Sequence, residues 1–376
     1  MQPYVLRAST AILLAALVSC SSTEPVDPSG TEPVDPSGSF LDGTASDPQI
    51  GLVVNSTGRA LTMFQLGNPA EQRQVPLGTS MTETPVGLSR RGLTAVIPLG
   101  QVASVALIDL PGERIVRFFT VASGNLSGSV FLDDRTVLVA NLVDDYVGKF
   151  AIDQASGAIT ETVAVAPAPS AVLTDGSLAY VISGNLDVNF APLGNGIVTV
   201  IDPSSMTVVG TVITGGTNSQ AGAFGPDGLL YVLNTGDFVG DGSVTIIDPV
   251  TRQVVTTVGG FGVAPGSISI DDNGLAYVSG FATGTMVWNT ATRQFVRDPS
   301  NAVCARLDIL DPGSACRGAF AATTDRNGTV YQVFFGDEPQ GLPPAVFVFD
   351  PVTFDLRDSL DAGVGPSSLD IAVFGN

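Results

Sequence analysis

From residue 48 onward the apolar residues fall in short runs rich in Val, Ile, Leu and Tyr, divided by turns of Gly, Pro, Asn and Asp. No helical period survives more than a few residues, so the pattern predicts strands and not helices. Two stretches align with each other. Leu229-Leu230-Tyr231-Val232-Leu233-Asn234 is followed by Val244-Thr245-Ile246-Ile247-Asp248-Pro249 and a valine-rich Gln253–Val258. Leu178-Ala179-Tyr180-Val181 is followed in the same way by Val198-Thr199-Val200-Ile201-Asp202-Pro203 and Thr207–Val212. With the Asp248 position as anchor, equivalent residues are Gln65, Asp109, Asp153, Asp202, Asp248, Asn289 and Asp350, at intervals of 44, 44, 49, 46, 41 and 61.

Seven units of this length, each with strands enough for one small sheet, predict an all-β, seven-bladed β-propeller of four-stranded blades over residues 48–376. The blade pattern resembles the YVTN repeat family of seven-bladed propellers, in which a Tyr-Val-x-Asn strand precedes a valine-rich strand ending Ile-Asp. The resemblance is clearest around Asp202 and Asp248 and faintest around Gln65 and Asp109. It implies a fold, not an activity. Closure is also legible. Pro366-Ser367-Ser368-Leu369-Asp370-Ile371-Ala372-Val373-Phe374 matches the innermost strand of a blade, while Ile50–Asn55, Ala60–Gln65 and Gln72–Pro76 match the other three. One blade shared by the two terminal segments would leave the ring without an open edge.

Turn chemistry fits this plan. Pro226-Asp227-Gly228, Asp272-Asn273-Gly274 and Arg326-Asn327-Gly328 precede second strands, where a tight hairpin needs positive φ. Gly259-Gly260-Phe261-Gly262 reads as a link between blades and not as a phosphate loop, because no helix follows it.

The first residues have another character. Arg7 precedes an apolar stretch from Ala8 to Val18, too short to span a bilayer, which needs roughly 20 residues. Leu17-Val18-Ser19-Cys20 resembles a bacterial lipobox, which implies a signal peptide over 1–19 and acylation of Cys20. Ser21, not Asp, follows the cysteine, which resembles the signal for outer-membrane sorting in a cell with two membranes. Within the segment 20–47, the octapeptide Thr-Glu-Pro-Val-Asp-Pro-Ser-Gly occurs twice over residues 23–38. Its prolines exclude helix and sheet, so it reads as an extended acidic tether between membrane and propeller.

Composition narrows the chemistry. With 16 basic against 36 acidic residues the net charge is −20, which excludes a polyanionic partner such as nucleic acid. The chain has no histidine, so Ser-His-Asp and Cys-His nucleophiles and imidazole metal ligands are absent. Besides Cys20 there are only Cys304 and Cys316; in an oxidising compartment a disulfide is the simplest reading, with a metal site as the rival.

Alternating strand direction puts the loops between second and third strands on the same face as the links between blades. There the long segments Gly184–Gly196, Gly236–Gly242, Gly336–Pro344 and the insertion Asp298–Arg317 gather. Such decorated rims commonly carry function. They offer Asp187, Asp237, Asp241, Asp337 and Glu338 as candidate ligand or ion-binding residues, Ca²⁺ being the cofactor such carboxylates would suit. The expectation is a monomeric, lipid-anchored, extracytoplasmic, non-catalytic scaffold for a protein or glycan. The alternative is an exported carboxylate- or Ca²⁺-dependent hydrolase or lyase acting at the same rim.

Overall fold

A computed structural model of the chain describes residues 49–305, 316–337 and 341–373. The expected signal peptide, Cys20, the tether and Glu338 lie outside the described residues.

The seven four-stranded antiparallel sheets form a seven-bladed propeller. The first blade is made of Gln49–Asn55, Ala60–Gln65 and Asn68–Pro76, with Pro366–Val373 as its innermost strand. The others follow in chain order over residues 89–120, 126–164, 169–217, 219–263, 265–297 and 321–361. The ring closes as the sequence anticipates. Pro366–Val373 runs antiparallel to Gln49–Asn55, from Gln49 opposite Val373 to Asn55 opposite Pro366.

Burial explains why the middle strands are the readable ones. Strands such as Ala179–Ser183, Leu230–Asn234 and Val330–Phe334 are buried at every position, because a neighbouring blade covers each side of the sheet. Outer strands such as Arg114–Thr120 alternate between exposed and covered residues instead. The core is accordingly divided into seven apolar clusters, each shared by two adjacent blades. The cluster joining Val53 and Phe64 to Tyr331, Val333 and Val346 seals the seventh blade against the first.

One expectation is corrected. Gly259-Gly260-Phe261-Gly262 is not a link; it lies inside the outer strand Gln253–Val263 of the fifth blade. Gly260 and Gly262 adopt φ of 87° and 68°, and the pairing slips between Asp241 and Ser243, so the glycines kink a strand that continues.

The two ends of the ring differ. On one, here the turn face, Gly228, Gly274 and Gly328 take the positive φ that their hairpins require. On this face Asp175, Asp227 and Asp271 cap their turns, and each receives a tyrosine hydroxyl from the following strand: Tyr180 donates to Asp175 at 2.7 Å, Tyr231 to Asp227 at 2.7 Å and Tyr277 to Asp271 at 3.4 Å. Burial, with the nearby carboxylate, pushes these three phenols above their ordinary value of 10.0, and burial with the Asp325 charge pushes Tyr331 up to about 12. A raised phenol pKa means the fold favours the neutral form. Its stabilisation is complete below pH 10 and is lost as pH rises through the folded values. In an alkaline titration, phenolate absorbance from these four residues should therefore rise together with loss of the circular dichroism signal. Ionisation of all four with the fold intact would contradict the packing described.

Candidate functional site

The opposite end, the link face, carries the long segments. Its rigidity is built from polar groups at the ends of second strands. In the fifth blade, buried Asn234 receives the Ser219 hydroxyl at 2.6 Å and donates to Ser243 and Thr245 at 3.0 and 2.9 Å. In the third, the Asn141 side-chain carbonyl accepts the backbone N–H groups of Asn125 and Asp144 at 3.1 and 3.3 Å. Asn218 lies between the fourth- and fifth-blade loops. Its backbone carbonyl accepts from the Thr235 N–H at 2.9 Å, and its side-chain oxygen lies 3.2 Å from where a Cβ on Gly184 would stand.

Cys304 and Cys316 are bonded, with Cα atoms 5.5 Å apart, in the link between the sixth and seventh blades. This is ordinary disulfide geometry. The link is tied to both blades. Val303 and Thr285 exchange backbone hydrogen bonds at 2.8 and 2.9 Å. Fully buried Gln332 donates to the Thr285 hydroxyl at 2.7 Å and to the Val303 carbonyl at 2.8 Å. The Arg317 guanidinium lies over the rings of Phe334 and Phe347, 5.8 and 5.6 Å from their centroids.

The candidate carboxylates sit on this face but in separate loops. Asp187, in the fourth blade, uses one oxygen to accept the N–H groups of Asn189 and Ala191 at 2.8 and 2.9 Å. Asp237, in the fifth, accepts those of Gly240 and Val239 at 2.8 and 3.0 Å, and these backbone donors hold it below the ordinary carboxylate value. Asp241 opens the strand Asp241–Asp248 and is exposed; Asp337, in the seventh blade, exchanges backbone hydrogen bonds with Leu342. Among the described residues no three His, Cys, Asp or Glu side chains come together as a metal site. The structure thus assigns Asp187 and Asp237 a local task, shaping the loops that hold them.

What sequence reasoning missed on this face is apolar. Of the exposed large hydrophobic side chains among the described residues, nine stand on link-face segments and three on the opposite turns, the rest being on outer strands. Val188 is 93% exposed and Val239 78%, with Leu193, Phe190, Phe238 and Phe281 also open to solvent. Phe281 begins an aromatic row that crosses to Phe320 (5.6 Å between centroids) and on to Phe335 (5.0 Å). The available signal was a Val or Phe inside a segment otherwise made of turn residues, as in Asp237-Phe238-Val239-Gly240.

Charge is distributed unevenly as well. The ion pairs Arg91–Asp134, Arg114–Asp109, Arg135–Asp153 and Arg357–Asp350 lie at the turn end, Arg73–Glu71 lies on an outer strand, and Lys149–Glu161 joins the third strand of the third blade to its outer strand. Among the described residues Asp144, Asp187, Asp237 and Asp241 have no basic partner. Two shallow recesses, of about 510 and 500 Å³, lie elsewhere: one beside Arg91 and Arg135 at the turn end, the other between Gln72 and Asp358 on the outer wall.

No family model matches the chain, and no curated protein matches it. Solved structures do. Hydrazine synthase from Kuenenia stuttgartiensis superposes with a TM-score of 0.61 at 16% identity, over 80% of this chain and 97% of that one. A functionally unknown protein from Desulfotomaculum acetoxidans gives 0.61 at 15% identity, over 86% and 98%. At such identities the likeness is one of fold.

Proposed function

We propose that the chain is a lipid-anchored, extracytoplasmic propeller that works as a non-catalytic binding module, with its link face turned to a partner. The observation that carries this reading is the concentration of exposed apolar side chains on that face, interleaved with Asp144, Asp187, Asp237 and Asp241, which have no basic partner among the described residues. Singly scattered surface hydrophobics are ordinary, whereas a set of them on one rim marks an interaction surface. The absence of histidine points the same way, and the Cys304–Cys316 disulfide agrees with an oxidising compartment.

The anchor rests on Leu17-Val18-Ser19-Cys20, and the Pro-rich tether behind it would hold the propeller off the lipid. At ~3.1 Å per residue, an extended chain of this length reaches several nanometres. The repeat itself is read as that of the YVTN family on its Tyr-Val-x-Asn and Ile-Asp strands.

Metabolic labelling with a fatty acid tests the anchor: wild-type chain should take up label and fractionate with membranes, and Cys20→Ser should do neither. Label retained in Cys20→Ser would refute the anchor. For the face, in-cell cross-linking from positions 188 and 239 should yield discrete adducts that positions 250 and 352, on the turn end, do not. Equal yields from both ends would defeat the assignment of the link face.

A further inference from the structure

Two of the exposed link-face aromatics stand in a backbone conformation that bulky residues avoid. Phe190 has φ of 61° and Phe238 has φ of 64°. The left-handed region suits Gly and Asn, and a large side chain there costs of order 1–3 kcal/mol. The two occupy the corresponding loop in neighbouring blades, each just after a capping aspartate, Asp187 in one and Asp237 in the other. Each is 38% exposed, and neither ring has an aromatic or cationic partner among the described residues.

A third phenylalanine supplies the contrast. Phe354, on the turn face, also has positive φ, at 60°, but Arg297 lies over its ring at 5.2 Å. A contact within the fold therefore offsets the strain at Phe354. No such contact is present at Phe190 or Phe238.

We propose that Phe190 and Phe238 are paired anchors for a basic polypeptide segment bearing apolar side chains, docked across the loops of the fourth and fifth blades. This rests on the binding-module reading and names the partner's chemistry. Aromatic side chains in exposed, pre-set positions are the usual centres of binding energy at interfaces. Val188, Leu193 and Val239 flank them and would exclude water around the anchors. The sign of the partner follows from charge: Asp144, Asp187, Asp237 and Asp241 lie on this side of the rim, and no basic residue occurs in 184–194 or 235–241. An acidic protein or an anionic surface would be repelled, and a segment with Lys or Arg between apolar residues is complementary.

The test uses the full-length chain and a fluorescent pool of random peptides built from Lys, Leu, Phe and Ser, beside a pool in which Glu replaces Lys. Anisotropy should show binding of the Lys pool at least tenfold tighter than the Glu pool. In Phe190→Asn/Phe238→Asn, where Asn accepts the left-handed backbone, affinity for the Lys pool should fall at least tenfold while the melting temperature holds or rises. Undiminished binding by the variant, or equal binding of the two pools, overturns the proposal. So does a marked drop in melting temperature, because it would show that the rings pack within the fold. A neutral oligosaccharide panel separates the two levels of the argument. Phenylalanine-dependent binding of a glycan in place of the Lys pool would overturn the polypeptide partner and leave the binding face standing. If neither probe binds and the cross-links from 188 and 239 are also absent, the binding-module reading itself is lost.

Discussion

Removing residues 366–376 should abolish the native fold outright, leaving no cooperative melting transition. This strand is the innermost of the first blade, and it pairs along the length of Gln49–Asn55. Its Ile371 and Ala372 are buried in two different interfaces, one against the seventh blade and one against the second. Asp370 is 3.4 Å from Arg90 of the second blade, and the Ser56 hydroxyl donates to Ser367 at 2.6 Å. Deletion would therefore expose the inner edge of Gln49–Asn55 and open two of the seven clusters together. Whole domains are stable by only about 5–15 kcal/mol, and a ring distributes its core over interfaces that all depend on closure. The expected product is a dye-binding, protease-sensitive chain. A synthetic peptide of residues 366–376 should restore the transition when added back. A truncated chain that melts cooperatively at the wild-type temperature would show that the ring does not need this strand.

That closure was readable from sequence because the strand patterns at the two ends of the propeller add up to one blade. The seven-unit period was readable for a related reason. Second and third strands are covered on both sides, so their apolar runs are continuous and recur where little else does. The anchor set was less uniform than its spacing suggested. Asp202 and Asp248 end strands, whereas Asp153 and Asp350 fall just beyond theirs, in the turns. Glycine misled at 259–262, since a kinked strand and a link call for the same residue. On the link face the decorated loops were legible from their length, and their carboxylates from composition. Which oxygens bond to backbone, and which apolar side chains stay uncovered, depends on where loops from adjacent blades come to rest. No run of residues encodes that, and it is why Asp187 and Asp237 read as ligand candidates while Phe190 and Phe238 went unread.

The asparagine ending a Tyr-Val-x-Asn strand gives the second large effect. Asn234→Ala should destabilise the protein by about 3–5 kcal/mol, a fall of roughly 5–8 °C in melting temperature for a domain of this size. The residue is 1% exposed and completes three hydrogen bonds, with Ser219, Ser243 and Thr245. Thr245 in turn accepts the Gly215 N–H at 2.9 Å, and Ser219 shares a 3.1 Å contact with Thr214, so one amide ties the outer strand of the fourth blade to the middle of the fifth. Alanine would leave buried hydroxyls with nothing to replace the amide, and the cost of an unpaired buried group exceeds the net worth of the bond it lost. Asn234→Asp should be no better despite its matching shape, because a carboxylate cannot donate to Ser243 and Thr245 and its charge would be buried. Asn234→Ser should cost less, since the fourth blade carries Ser183 at the same position. An alanine variant within about 1 kcal/mol of wild type would show that the network adds nothing beyond its neighbours' packing. The network also reaches the binding face. Thr235 and Gly236 lead directly from Asn234 into the loop of Phe238, so Asn234→Ser should loosen that loop and weaken docking of the Lys-containing peptides with both phenylalanines in place. The residues that lock neighbouring blades together are, on this reading, the ones that hold the anchors in register.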